Sequence, residues 1–418
     1  MKRIVLYLIL LTTSGIFAQE KLELKECYRL VEENYPLAKQ QEILENQNQL
    51  ELKSIEAGKL PKAELEAQAT YQSEVIEIPL PNSPVEPLNK DQYRATLTVN
   101  QLIYGAGIID AKAEASTAAA RADKKQVEVN LYQLKKRVNQ LFFSILLVQE
   151  KKELLKAKKQ QLDAKFEEVQ SGVKNGVLLP SSDKVLKAEI LKIGQDLTGL
   201  ERTRARLLKT LATLTDKNFS KETILEEPQL FPAEEKEMHR PELELFSLQK
   251  EVVDANAALL SKETAPKLAG FATGGYGNPG LNMLDNSFQP FYIAGLKLNW
   301  NILDWNANKK RREALAMKKD IIENEAEVFE LNTNIELEEQ RSEMDKYRGF
   351  LASDEEMVGL RKEVVTAAES QLRNGVITSS EYITELTNLY EASSRLKTHQ
   401  LQLKLAIADF NIIKGEKR

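Results

Sequence analysis

The chain has 418 residues, 29% of them charged and 42% hydrophobic, with a formal net charge of -5 at pH 7. Its single cysteine, Cys27, excludes a disulfide framework within the chain, and its mildly acidic balance makes nucleic acid a poor partner. Beyond residue 18 no run reaches the roughly 18 uninterrupted apolar residues of a spanning helix, which excludes a helical membrane protein.

Residues 1–18 read as an export signal: Lys2-Arg3, the apolar run Ile4 to Leu11, and Ala18 just before Gln19 as the cut point. Ile16 would then stand at the -3 position, larger than the usual small residue. Loss of Lys2 and Arg3 moves the formal charge from -5 to -7. Cys27 lies nine residues past the cut, too far for a lipid anchor.

The remainder is written twice. Pro36 and Pro61 stand as far apart as Pro241 and Pro266 do. Asn100 and Asn299 each precede an apolar run, and Asn175-Gly176-Val177 is echoed by Asn374-Gly375-Val376; the numbering offset is the same at both landmarks. A duplication this regular predicts two units that bury their apolar surface only together. The expected division is a first repeat over 19–215, a linker over 216–240 and a second repeat over 241–414. Each repeat predicts helix, strand, loop, strand, very long helix and shorter helix.

In the first repeat a strand is expected over Glu64 to Gln72, where Leu65, Ala67, Ala69 and Tyr71 alternate with Glu66, Gln68 and Thr70. Past the Pro-rich loop at 79–87, Tyr93, Ala95, Leu97 and Val99 alternate with Arg94, Thr96, Thr98 and Asn100. The second repeat has Tyr292, Ala294, Leu296 and Leu298 against Gly295, Lys297 and Asn299, while its first strand, Leu268 to Tyr276, is Gly-rich and alternates poorly. Period two of this length fits a soluble sheet with one wet face or a membrane barrel with lipid outside. Four strands cannot close a barrel, which takes about eight or more, so membrane-spanning strands would require an oligomer.

From Ile108 to Lys174 no proline interrupts the chain, and a continuous helix over that stretch would extend about 100 Å. Val127, Leu131, Leu134, Val138, Leu141, Ile145 and Val148 are spaced by alternating fours and threes, resuming at Leu155, Leu162, Phe166, Val169 and Val173. This is a coiled-coil seam. After Asn175-Gly176, Leu186, Ile190, Ile193, Leu197, Leu200, Leu207, Leu211 and Leu214 form its antiparallel partner. The second repeat matches with Met344, Tyr347, Leu351, Val358, Val365, Ala368 and Leu372, then Leu386, Leu389, Leu396, Leu403, Ile407 and Phe410, though Asp354 and Arg361 fall in the seam. The Ala-rich stretch Ala111 to Ala122 allows close helix approach. Between the repeats, Asp216 to Arg240 is charged, broken by Pro228 and Pro232, and reads as a linker with a short packed element.

The ordered set Glu33-Asn34-Tyr35-Pro36 with Lys59-Leu60-Pro61, Arg240-Pro241-Glu242-Leu243 with Ala265-Pro266, Gln101-Leu102-Ile103-Tyr104-Gly105, and the two Asn-Gly-Val turns resembles the outer-membrane efflux (TolC-like) family. The resemblance covers essentially the whole mature chain. It implies a mainly α protein with β: a homotrimer with four strands per chain in one 12-stranded outer-membrane β-barrel, continued by a periplasmic α-helical barrel. It also implies a passive exit duct for efflux or type I secretion. Its partners would be a periplasmic adaptor and an inner-membrane pump of RND or ABC type, with no cofactor. An exported coiled-coil adaptor or scaffold with a soluble strand domain is the alternative.

The site residues follow from that resemblance, each beside a plainer reading. Asn175, Gly176, Val177, Asn374, Gly375 and Val376 would dock the adaptor, although a helix reversal needs such a glycine in any case. Glu381 would form an acidic ring at the tunnel mouth, with Thr384 and Glu385 at the next gate positions, or would be a solvated helical carboxylate. Gly105 and Gly107, and Asp304 in the second repeat, mark strand-to-helix joints. The Gly105-Ala106-Gly107 turn lacks the third glycine and the βαβ surroundings of a phosphate loop. Tyr71, Tyr93, Tyr276 and Tyr292 fit membrane interfaces or sheet packing, and Phe142 and Phe143 fit helix packing. His239 and His399 have no metal spacing, and no GxSxG, HExxH or Walker loop is present, so enzymatic and metal chemistry lack candidates.

Overall fold

The computed structural model describes residues 21–76, 86–234 and 238–415. The expected signal at 1–18 and most of the loop at 79–87 lie outside the described residues. In chain order the elements are β1 (Lys21–Leu22), α1 (Leu24–Asn34), α2 (Lys39–Glu56), β2 (Lys62–Tyr71), β3 (Asp91–Tyr104), α3 (Ile108–Lys174) and α4 (Ser182–Thr215). They continue with β4 (Ile224–Leu225), α5 (Pro241–Glu263), β5 (Lys267–Asn278), β6 (Gln289–Asn299), α6 (Ala307–Arg373) and α7 (Ser379–Lys414). The order helix, strand, strand, long helix, shorter helix recurs in both halves. α3 and α6 are both 67 residues long, because the same seam is written in each.

Two compact units cut across the repeats: Met1–Lys39, Asn130–Arg240 and Glu330–Arg418 form one, Gln40–Val129 and Pro241–Phe329 the other. The first is helical. Its core brings Leu22, Cys27 and Val31 against Val138, Phe142 and Ile145 of α3 and Leu211 of α4, all almost wholly buried. Phe142 and Phe143 pack here edge to face at 5.9 Å. Burial pushes the Cys27 thiol up to about 12, so it serves this core as a small inert hydrophobe. The short element expected in the linker is β4, which pairs in parallel with β1.

The second unit carries a four-stranded antiparallel sheet of order β2-β3-β5-β6. In the helices that flank it, Ala115 and Ala118 of α3 meet Ala255 of α5, with Val252 and Leu259 beside them. The small residues permit the close approach that their spacing predicts.

Candidate functional site

Strand register assigns the faces of the sheet, since directly opposed residues share a face. Leu65, Ala67 and Ala69 on β2 oppose Leu97, Ala95 and Tyr93 on β3. That row continues through Gly274, Tyr276 and Asn278 on β5 to Tyr292 and Pro290 on β6. Apolar side chains predominate on it, and Leu65, Leu97, Leu296 and Leu298 are each more than half open to solvent. The other face carries Glu64, Glu66 and Gln68, then Arg94, Thr96 and Thr98, then Phe271 and Thr273, then Phe291, Ile293 and Lys297, so it is polar on β2 and β3 and mixed on β5 and β6. Across it the Thr98 and Thr273 hydroxyls meet at 3.0 Å, and the Arg94 guanidinium lies 5.7 Å from the Phe291 ring centre.

All four expected tyrosines lie on the apolar face. Tyr93 and Tyr276 stack on Phe288 at 6.3 and 5.6 Å. Tyr71 opposes Asp91, Tyr93 lies on β3 itself, Tyr276 opposes Ala95, and Tyr292 opposes Gly274, which opposes Leu97. Projected on β3 they fall at Asp91, Tyr93, Ala95 and Leu97, a diagonal that steps two residues per strand.

The two strand-to-helix joints share one backbone despite different residues. Ala106 and Gly107 have φ of 52° and 78°; Trp305 and Asn306, at the matching positions of the second repeat, have 52° and 62°. Ile108 N–H donates to Gly105 O, and Ala307 N–H to Asp304 O, both at 3.0 Å. Where the second repeat lacks glycines, the Asp304 carboxylate accepts from the backbone N–H of Asn306 at 3.0 Å and of Asn308 at 2.9 Å, capping α6.

The Asn-Gly-Val turns close both helical hairpins of the first unit. Gly176 and Gly375 have φ of 73° and 70°. Val177 N–H donates to Gly172 O and Gly176 N–H to Val173 O, with the same bonds from Val376 to Gln371 and from Gly375 to Leu372. This is the Schellman pattern, which usually adds an apolar contact from the valine position back to the helix. Here the valines stay open, Val177 and Val376 being 68% and 71% exposed. The tip thus presents two apolar side chains outward.

The three residues expected at the mouth are each engaged within the chain. Glu381 and Thr378 form a capping box, Thr378 N–H donating to Oε2 at 2.7 Å and Glu381 N–H to Thr378 Oγ1 at 3.2 Å. The backbone bond first, then the hydroxyl, hold the Glu381 carboxyl below its ordinary range. Thr384 Oγ1 donates to Ser380 O at 3.0 Å. Glu385 accepts from Arg361 at 3.1 Å and from Asn388 at 3.2 Å.

The sequence reading assigned the apolar residues of the hairpins to two separate seams; it missed that the seams join, and with them Tyr382, Lys158 and Lys165. Leu155, Leu162, Val169, Leu186, Ile190 and Ile193 share one cluster with Val365, Ala368, Leu372, Tyr382 and Leu386. Lys158 donates to Glu189 at 2.8 Å and to Thr387 Oγ1 at 2.9 Å; Lys165 donates to Glu168 at 2.6 Å and to Glu369 at 2.8 Å. Burial alone would lower Lys165, but its two carboxylates outweigh that and hold its pKa above the ordinary lysine value. The heptad spacing of the two lysines, three past Leu155 and Leu162, is the signal that could have found them.

No protein-family profile and no curated protein matches the chain. Solved structures match it in fold. The CmeC outer membrane channel of Campylobacter jejuni aligns with a TM-score of 0.65 at 15% identity, over 94% of this chain and 85% of that one. The outer membrane protein VceC of Vibrio cholerae aligns with 0.65 at 15%, over 94% and 96%. The open-state MtrE outer membrane channel of Neisseria gonorrhoeae aligns with 0.64 at 14%, over 94% and 89%.

Proposed function

We propose, from a chain that has the TolC-like fold of these channels, that it is one third of an outer-membrane exit duct. Three copies close a 12-stranded barrel around water, and a periplasmic helical tunnel leads into it. The observation that carries the reading is the sheet: its apolar face is bare, its other face is polar over β2 and β3 and mixed over β5 and β6, and among the described residues β2 and β6 each keep an unpaired edge. Open strand edges are excluded from lipid, so four such strands become stable there only when other copies complete the ring. The tyrosine diagonal supports the same placement. Strands tilted about 45° and about 4.8 Å apart need a stagger of roughly 1.4 residues to keep a level line. Only even steps stay on one face, and the nearest is the observed two.

In this reading the duct is passive. A periplasmic adaptor meets the tips at Val177 and Val376, and an inner-membrane pump of RND or ABC type supplies the energy. Glu381, ionised through its own cap, would recur three times round the trimer axis at the mouth. Fractionation and planar-bilayer recording test the core of the proposal. The duct is expected in the outer membrane as a heat-modifiable trimer that conducts ions. A monomer in detergent that conducts nothing, found in the soluble periplasm, would favour the exported scaffold instead.

A further inference from the structure

We propose that the start of α6 is a collar for anionic phospholipid headgroups, with the Trp305 ring in the membrane interface and Lys309, Lys310, Arg311 and Arg312 on the adjoining phosphates. The inference rests on the barrel reading above and adds the lipid class that the helix side of the barrel takes.

The charge order at this point is unfavourable for a helix left to itself. A helix N-terminus carries positive partial charge, so anions are stabilising there and cations are not. α3 follows that rule with Asp110 in its first turn, paired with Lys59 at 2.6 Å. α6 has no acid in its first turn and four consecutive exposed cations at 309–312. Their counterparts in the first repeat are Asp110, Ala111, Lys112 and Ala113, so the change belongs to one repeat. The Asp304 carboxylate answers the helix end itself, through the Asn306 and Asn308 N–H groups, but compensation of the four cations is slight: Lys309 reaches Glu313 at 4.0 Å and Arg311 reaches Glu263 at 3.9 Å, both in the open, where such pairs contribute little. Four adjacent cations in the first turns of a helix, with so little acid beside them in a chain of net charge -5, are the pattern expected where a ligand supplies further anions.

Trp305 is the independent observation. It holds a left-handed φ of 52°, which bulky residues avoid, and is 81% exposed. Ala106 has the same φ at the equivalent joint, so the turn requires this backbone but not this ring. A large amphipathic ring held outward in a strained backbone, next to an apolar barrel face, matches the preference of tryptophan for the bilayer interface.

Continuity identifies the occupant. The exposed apolar series Leu296 and Leu298 on β6 runs on through Trp300, Ile302 and Leu303, all exposed, to Trp305. The four cations follow at once. From Ala307 to Arg312 the helix rises about 8 Å, close to the roughly 5–8 Å of headgroup zone on one side of a bilayer. Hydrocarbon-facing strand, interfacial ring, then cations is the order of half a membrane. Polybasic segments at this depth favour anionic lipid.

Both tryptophans of the chain lie in this region, so W300F leaves Trp305 as the sole reporter. The W300F trimer is reconstituted in mixed vesicles in which either phosphatidylglycerol or phosphatidylcholine is brominated near the headgroup. Quenching then gives the relative affinity of the two lipids at Trp305. We expect quenching by both and a several-fold preference for phosphatidylglycerol, falling to parity with K309Q/K310Q/R311Q/R312Q and in high salt. Trimer heat-modifiability and conductance of the same samples establish that the variant is folded. A conducting trimer whose Trp305 is unquenched, or is quenched without lipid preference, overturns the inference and leaves the duct standing. Inorganic phosphate that abolishes the preference where chloride of equal ionic strength does not would assign the cations to free phosphate, and also overturns it. A protein that neither inserts nor conducts removes the duct, and this collar with it.

Discussion

At four seam positions the first hairpin carries Leu155, Leu162, Leu186 and Leu200; at the matching positions the second carries Asp354, Arg361, Glu385 and His399. The four leucines belong to one apolar cluster. The four polar residues pair across their own hairpin, Asp354 with His399 Nδ1 at 2.5 Å and Arg361 with Glu385 at 3.1 Å. Both partners have changed together, so what reads along one helix as an impure seam is a consistent exchange of packing for pairing. A buried leucine contributes about 1.5–3 kcal/mol by leaving water, whereas the part-exposed Arg361–Glu385 pair contributes up to about 1 kcal/mol and the largely buried Asp354–His399 pair is no better than apolar packing in its place. The same backbone geometry is therefore held firmly in one hairpin and more weakly in the other. Of the two, the second can exchange packings at lower cost, which is what an opening motion at the tips would require.

The largest expected effect comes from breaking the first seam. Leu162 is fully buried, and Leu162→Ala should lower trimer stability by about 2–5 kcal/mol through lost burial and the cavity left behind. Its counterpart Arg361→Ala should lower it by about 1 kcal/mol or less. Thermal melts of the two purified variants measure the difference, and equal losses would erase the contrast between the hairpins.

Converting the second seam into the first is the next test. Asp354 is nearly buried, and His399 lies against the Tyr347 and Phe350 rings at 5.7 and 5.1 Å. Replacing a buried polar pair by apolar side chains is commonly neutral or stabilising. D354L/H399L is expected to gain about 1–3 kcal/mol while lowering the open probability of single channels. A stabilised variant that opens as readily as the parent would show that the second hairpin is not the one that moves.

What was legible in the sequence divides along the same line between local and distant partners. Periods of two and three-and-a-half expose β2, β3, β6 and both hairpins, since each residue's face follows from its own spacing. β5 reads poorly because its glycines answer to neighbouring strands. A Cβ at Gly275 would stand 2.5 Å from the Phe291 ring and 2.9 Å from Ala95 O, a constraint visible only once three strands are side by side. Gln101 to Tyr104 reads as a joint, yet β3 runs to Tyr104 with an irregularity after Leu102, because β5 continues to pair with it. β1 and β4 are two residues each and stand at opposite ends of the first repeat, so no periodicity marks them. Lys158 and Lys165 look like solvated charges until Thr387 and Glu369 arrive from the other repeat. Only resemblance singles out Glu381 as a mouth residue, while its capping box with Thr378 is open to local reading.

A smaller asymmetry sits on α7. Asp409 is buried and accepts from Asn139 Nδ2 at 2.7 Å; the Tyr28 hydroxyl donates to the Asn139 carbonyl oxygen. Its counterpart on α4 is Thr210, whose hydroxyl bonds its own helix at Arg206 O. Burial raises the Asp409 pKa above the ordinary 3.8 despite the Asn139 bond. A carboxyl that holds its proton more tightly when folded costs nothing below its unfolded pKa, and its cost grows as pH rises through the folded value. Acidification from neutral pH should therefore raise the contribution of this site to stability. Asp409→Asn should add about 1–2 kcal/mol at neutral pH and remove that pH dependence. Melting curves of parent and variant at neutral and at acidic pH check it, and a variant less stable than the parent at neutral pH would contradict the sign.

The tips carry the smallest expected change in stability and the most direct readout of function. Nothing lies within 4 Å of a Cβ built at Gly176 or Gly375, so the cost of a side chain there is the left-handed backbone alone, about 1 kcal/mol and equal at the two tips. Gly176→Leu and Gly375→Leu should both assemble as trimers and both lower export, because the added bulk stands beside Val177 or Val376 on the outward surface. If the second hairpin is the mobile one, the Gly375 variant obstructs docking and movement together and should lose more export than its partner. Equal losses would assign docking to both tips and opening to neither in particular. Unchanged export in both variants would remove the tips as the docking surface.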